Sequence, residues 1–172
     1  MIVDSRGQNV LPQITKKIML ADDGRSRVSD VDFSGVDLHN GRIEDLIFDC
    51  CTFDSIVGIG VTAKNIDFDG GSFADSDFSQ GRFEKVSFYA IDAIDSLFNN
   101  VDFKDTEFLG CNLSYSCFKG ARFHNVLFGA DKLGVKTSLE GVDFSSSNLR
   151  SSMLTAATHD NTTVFPRGFA DR

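Results

Sequence analysis

The chain has 172 residues, 41% apolar and 24% charged, with a formal net charge of -8 and a pI near 4.7. That length and composition fit one domain with a buried core rather than two domains or a disordered segment. The acidic balance disfavours non-specific binding to nucleic acid or an anionic membrane, and no apolar stretch reaches the roughly 18 residues that cross a bilayer.

Residues 1–25 read as an N-terminal cap, with LPQITKKIML at 11–20 as its strand or short helix. The opening residues have neither a basic start nor an unbroken apolar run, so no secretory signal is expected and the cytoplasm is the expected address. From 26 to 156 the chain repeats every five residues. Counting in fives from Val28 to Leu133 gives 22 centres, of which 14 are Phe; Gly58, Ala63 and Ala93 depart from the bulky rule. Near 134–138 the frame slips by one residue and resumes at Leu139, Phe144, Leu149 and Leu154. Two residues before most centres stand small or β-branched residues such as Val31, Cys51, Ile66, Ser76 and Val86. Alternate residues of an extended segment share a face, so each unit is a short side with two inward residues. Asp, Asn, Ser and Gly fill the other positions and make the corners. Equal sides and corners wind into stacked coils. Phe side chains on successive coils then form interior columns, and removing a mid-rod ring such as Phe103 costs about 3–5 kcal/mol. Gly58 and Ala63 leave the interior thin, and a bend or bulge is expected within SIVGIGVTAKN at 55–65.

The units VDFSG, VDLHN, SDFSQ, VDFKD, CNLSY, VDFSS and SNLRS resemble the pentapeptide-repeat family, whose pattern is small, Asp or Asn, Leu or Phe, and two variable residues. The resemblance covers about residues 26–156. It implies an all-β, right-handed four-sided β-helix solenoid of about six coils, capped at both ends. Residues 157–172 read as a C-terminal cap. Their THDNTTVFPRGF resembles the tail that follows the last coil in many bacterial members, and Phe165 and Phe169 are placed to plug the open end.

Little in the chain suggests catalysis. Cys51 and Cys111 fall in one inward column three coils apart, about 14 Å, beyond the reach of a disulfide. Cys50 and Cys117 point outward. With no CxxC pair, no metal site is expected, and no cofactor. His39 and His124 sit on different sides, four coils apart, and His159 lies in the tail. The Asp residues just before centres (Asp32, Asp37, Asp67, Asp77, Asp92, Asp102, Asp143) recur too regularly for catalytic carboxylates and read as turn or ladder residues. The protein is expected not to be an enzyme.

Charge distributes unevenly over the four sides. The side through Phe33, Phe53 and Phe73 (the Phe73 side) carries Asp32, Asp54, Asp75, Asp92 and Asp95. The adjacent side through Phe48, Phe68 and Phe88 (the Phe68 side) carries Asp30, Asp49, Asp67, Asp69 and Glu107. Against these ten acids stand Arg27, Lys132 and Arg150. The side through Ile43, Phe83 and Phe123 (the Phe83 side) is balanced, with Glu44, Lys64, Glu84 and Lys104 alternating by coil. A second candidate contact is apolar: Tyr89, Leu109 and Leu127 on successive coils, with Ile94 across the corner, a candidate partner or homodimer face.

Two readings of the acidic wall stand side by side. Because some family members implicated in quinolone resistance bind DNA gyrase as mimics of duplex DNA, the resemblance implies a protein-interaction module that binds gyrase or topoisomerase IV. In the alternative, the acids are imposed by the motif and the rod is a structural or regulatory scaffold, or a secreted effector, for another protein partner. The tail lacks the amphipathic dimerising helix of some mimics, and no long loop is expected to interrupt the rod. Direct nucleic-acid binding is not expected.

Overall fold

A computed structural model describes residues 2–3, 6–8 and 18–169. Strands β3 (Ser26–Ser29), β4 (Arg42–Thr52), β5 (Thr62–Ser72), β6 (Arg82–Tyr89), β7 (Asp102–Leu109) and β8 (Arg122–Gly129) form a parallel ladder in that order. Each pairs with the next at a spacing of one coil, Phe48 beside Phe68, then Phe88, Phe108 and Phe128. The chain is therefore an all-β, four-sided solenoid. One column, Val28, Phe48, Phe68, Phe88, Phe108, Phe128 and Leu154, runs through seven levels.

The four sides are of two kinds. The ladder strands cover the Phe83 and Phe68 sides. The Phe73 side and the remaining one, through Gly58, Phe78 and Phe98 (the Phe78 side), are laddered by isolated bridges such as Asp37–Val57–Asp77–Leu97–Cys117–Asp143, with turns between. Where it is Asp, the residue before the centre contributes to the difference. On the turn-rich sides its carboxylate accepts the backbone N–H two residues on: Ser34 to Asp32 at 2.8 Å, His39 to Asp37 at 2.9 Å, Ser79 to Asp77 at 2.8 Å and Ser145 to Asp143 at 2.7 Å. This local bond competes with a regular strand and fixes a turn. On the ladder sides the same position holds Asp67 and Asp102, which face arginines instead.

Corners are made by the residue two past each centre, which takes positive φ. Asn40, Asp45, Ser55, Asn65, Lys85, Ala90 and Asp95 have φ between 51° and 57°, and Gly60, Gly70, Gly110 and Gly120 lie in the same region. Asn, Asp and Gly tolerate it; Lys85 and Ala90 carry a steric cost of about 1–2 kcal/mol each.

Inside, the Phe rings form files. Phe48, Phe68, Phe88, Phe108 and Phe128 stack at 5.2, 5.2, 4.7 and 5.0 Å with nearly parallel planes, and edge-on contacts such as Phe53 to Phe48 (5.0 Å, 89°) join neighbouring files. The small inward residues have a second duty. Ser76 Oγ donates to the Phe53 carbonyl at 2.7 Å and accepts the Ile56 N–H at 3.1 Å; Ser96 Oγ donates to Phe73 O and Ser116 Oγ to Ala93 O, each at 2.6 Å. These hydroxyls satisfy backbone groups in the dry interior, where an unmade bond costs about 1–3 kcal/mol. Cys111 Sγ, 3.2 Å from Phe88 O, takes the equivalent place, and burial pushes its thiol up to about 12.

Two expectations are corrected. No bulge interrupts 55–65: the one-coil register holds from β4 through β6. The space beside Gly58 is occupied by the Phe78 ring, whose Cδ1 lies 2.7 Å from where a Cβ would be. The frame shift, in turn, is an insertion of six residues and not a slip of one. Asn112 pairs with Ser138 and Cys117 with Asp143, so the coil there takes 26 residues rather than twenty. Ala130 and Lys136 bridge antiparallel at the base of a loop, and Leu133, counted above as an interior centre, is 86% exposed at its tip. A short loop does interrupt the rod.

At the N-terminal end, β1 (Ile2–Val3) pairs antiparallel with β4 and β2 (Ile18–Leu20) with β3, covering edges that would otherwise stay open. Of LPQITKKIML, residues 11–17 lie outside the described residues. At the other end β9 (Thr137–Ser138) pairs with β10 (Ala157–Thr158), after a 3₁₀ turn at Ser151–Met153. Phe165 then lies 6.4 Å over Phe144 and stacks at 4.1 Å on Phe169. Asp160 ties this tail, accepting the backbone N–H groups of Thr162 (3.0 Å), Thr163 (3.2 Å) and Gly141 (3.3 Å).

Candidate interaction surface

The register fixes where each candidate acid stands. On the Phe68 side one outward column reads Asp49, Asp69, Tyr89, Leu109, Gly129 and the other Ile47, Asp67, Ser87, Glu107, Leu127. Asp30 begins the corner between the two acidic sides, its N–H bonded to Asp49 O at 3.0 Å. On the Phe73 side Asp32 and Asp92 precede centres, Asp54 lies one coil below Ala74, and Asp75 and Asp95 turn successive corners. Seven of the ten acids thus stand in the N-terminal half of the wall, and on the Phe68 side beyond it Tyr89, Leu109 and Leu127 stand with Glu107.

Several of these carboxylates already have partners. Arg27 reaches Asp49 at 3.3 Å, and Arg25 bridges Asp67 and Asp23, the latter at 2.7 Å. Asp54 accepts the Ser72 hydroxyl and the Ala74 N–H. Asp92 accepts the Ile94 N–H at 3.4 Å, and the Ser34 hydroxyl and N–H hold the Asp32 carboxyl below its ordinary range. Arg25 was not foreseen as part of the wall; it precedes the first repeat, so a count in fives gives it no side. On the balanced Phe83 side Lys104 pairs with Glu84 at 3.1 Å, Arg122 lies 3.8 Å from Asp102, and His124 lies 3.7 Å from the same carboxylate. Such exposed pairs are worth about 0–1 kcal/mol.

The apolar set divides. Tyr89 and Leu109 are neighbours in one column, whereas Leu127 stands in the adjacent column above Glu107, because the outward positions before and after a centre point differently. Ile94 lies on the Phe73 side, in line with Asp54 and Ala74. All four are half-buried; Val57, Leu97, Leu133 and Val135 are more exposed.

Two grooves run along the Phe68 side. One, of about 370 Å³, is lined by Asp67, Asp69, Tyr89, Leu109, Asp131 and Lys132; the other, of about 530 Å³, shares Asp67 and adds Lys85, Asp105, Glu107 and Leu127. The six-residue loop forms one wall, with Asp131 pressed against Gly110 and Lys132 Nζ standing 5.6 Å from the centre of the Tyr89 ring. Sequence counting missed this loop as a groove wall, since it assigned Leu133 to the core. Among the described residues, no three His, Cys, Asp or Glu side chains are grouped to hold a metal, and no helix is long and apolar enough to cross a membrane.

Residues 87–125 match the family model for pentapeptide repeats, in eight copies. No curated protein matches the chain. Among solved structures, the pentapeptide-repeat protein Rfr23 from the cyanobacterium Cyanothece 51142 is similar over 81% of this chain and 90% of its own, at 13% identity and a TM-score of 0.52. QnrB1, a plasmid-mediated fluoroquinolone resistance protein, aligns over 78% of this chain and 90% of its own at 12% identity and a TM-score of 0.39. HetL, involved in heterocyst differentiation regulation in Nostoc sp. strain PCC 7120, aligns over 81% of each chain at 14% identity and a TM-score of 0.35. At 13% identity the likeness to Rfr23 is one of fold. The coil geometry extends beyond both ends of the matched residues, with the same repeat on either side, so the chain resembles pentapeptide-repeat proteins along its whole solenoid.

Proposed function

We propose that this protein is a non-catalytic interaction rod whose acidic wall docks on a basic surface of a partner protein, and that the partner is a type II topoisomerase approached as a mimic of duplex DNA. The observation that carries this is the placement of ten candidate acids on two adjacent sides and their shared edge, on a scaffold whose stacked interior keeps them in fixed relative positions. A rigid array of one sign attracts an oppositely charged groove at long range and loses little entropy on docking. A gyrase supercoiling assay, with and without a quinolone, tests it. The intact protein is expected to alter supercoiling at micromolar concentration, and neutralising Asp54, Asp75 and Asp95 together to abolish the effect. No effect of the intact protein rejects the topoisomerase partner.

A second reading, a scaffold for a different basic protein, has its own support. Arg25 and Arg27 already neutralise Asp67 and Asp49, and the wall gives way to an aromatic and aliphatic strip along the C-terminal half. A uniform polyanion mimic needs neither feature. Recovery of a basic partner from the native host by the intact rod, with supercoiling unaffected, favours this reading.

A further inference from the structure

We propose that the Tyr89 groove on the Phe68 side, together with the adjoining one that shares Asp67, is a seat for an extended, arginine- or lysine-bearing segment of a partner protein, with one cationic side chain resting on the ring of Tyr89. The inference rests on the acidic-wall reading and names the place in that wall where contact is specific. What the groove accepts is visible in what the chain itself puts there. Lys132 stands over the Tyr89 ring, and the Arg25 guanidinium lies against Asp67 at the groove's edge. A cation over an aromatic face gains most when carboxylates and a partly desolvated wall surround it.

The lining charges agree. In the Tyr89 groove Asp67, Asp69 and Asp131 face Lys132, and in the adjoining one Asp67, Asp105 and Glu107 face Lys85, three acids to one base in each, with Arg25 paired to Asp67 at the edge. An anionic occupant such as a phosphopeptide or nucleic acid is opposed by that balance. Leu109 and Leu127 add apolar footing one coil apart on the two columns, so the segment that fits best alternates cationic with aliphatic side chains. Lys132 is the replaceable member: it is exposed and sits on the inserted loop, outside the interior columns. A guanidinium, being planar and more weakly hydrated, stacks on a tyrosine better than an ammonium does.

Fluorescence anisotropy of a labelled peptide of alternating Arg and Leu, titrated with the full chain, tests the seat. Saturable one-to-one binding is expected. Tyr89→Ala weakens it about tenfold, Tyr89→Phe, which keeps the ring, changes it less than about twofold, and Lys132→Ala tightens it about two- to fivefold by removing the resident cation. Glu84→Gln, which removes one charge on the Phe83 side, leaves it unchanged. A thermal melt checks that each variant folds; should Tyr89→Ala not fold, the Lys132→Ala and Tyr89→Phe results decide. Absence of saturable binding, equal weakening by Glu84→Gln and Tyr89→Ala, or weakening by Lys132→Ala overturns the proposal. Peptide binding with an inactive supercoiling assay keeps the seat and removes the topoisomerase; the reverse result removes the seat alone.

Discussion

Replacing Phe103 by Ala probes the interior most directly. Its side chain is fully buried, with five other rings centred between 5.4 and 6.0 Å away: Phe83, Phe98, Phe108, Phe118 and Phe123. Neighbours on the coils above and below are held by their own backbone ladders and cannot collapse inward, so the cavity persists and the loss falls at about 3–5 kcal/mol. For a chain of this size each kcal/mol shifts the melting temperature by about 2–4 °C, giving a drop of about 6–20 °C. Phe165 supplies the contrast. It is half-buried at the open end, over a single coil, and Phe165→Ala should cost about 1–2 kcal/mol. Guanidinium unfolding followed by circular dichroism measures both, with the slope against denaturant showing whether the same surface unfolds. A loss below about 1 kcal/mol at Phe103, or equal losses at both positions, would refute the idea that the rings form one shared core.

Filling the apparent gap with Gly58→Leu, which restores the repeat pattern, is expected to destabilise by about 1–3 kcal/mol in the same melts, because the Phe78 ring already holds that space. Ser96→Ala strips the Phe73 carbonyl of its donor and should cost about 1–3 kcal/mol, with Ser96→Cys recovering part of it as a weaker donor in the style of Cys111. Ala90→Gly is expected to gain about 0.5–1 kcal/mol, since Ala90 turns a corner at φ 51° in the column of Gly70 and Gly110. Asp160 has its folded pKa lowered, first by the Thr162 hydroxyl and then by the Gly141 and Thr162 N–H groups, so its ionised form favours the fold. That contribution is whole above the unfolded value near 3.8 and is lost as pH falls through it towards the folded value. Melts from about pH 6 to about pH 3 should show a steeper decline for the native chain than for Asp160→Asn.

The architecture was readable because a five-residue period matches neither helix nor ordinary strand, and because Phe, placed at most centres, marks the interior without ambiguity. Phe68, Phe88 and Phe108 stand in one file, as that period requires. The inserted loop was not readable in the same way. Counting in fives, an insertion of six is indistinguishable from a slip of one, so Leu133 seemed interior although it stands at the loop tip. Leu127 was grouped with Tyr89 and Leu109 because a side carries two outward columns and the period does not separate them. Positive φ at the corners had a signal, the Asn, Asp and Gly two past the centres, yet Lys85 and Ala90 hid its strictness. The pairing of Arg25 with Asp67 joins residues more than one coil apart, from outside the repeat, and only coordinates reveal it.

Growth in this architecture comes in quanta. Adding five residues to the winding path would rotate everything downstream by a quarter turn and tear each surface column in two; adding a full coil would lengthen the rod and spare its faces. The six extra residues after Phe128 follow neither course. By leaving the path as a loop between Ala130 and Lys136, they let Ser138 land over Asn112 and Asp143 over Cys117, with no change of phase. New surface can therefore be grafted at a corner while every older face keeps its bearing, and other corners of the same rod offer the same opening to an engineer.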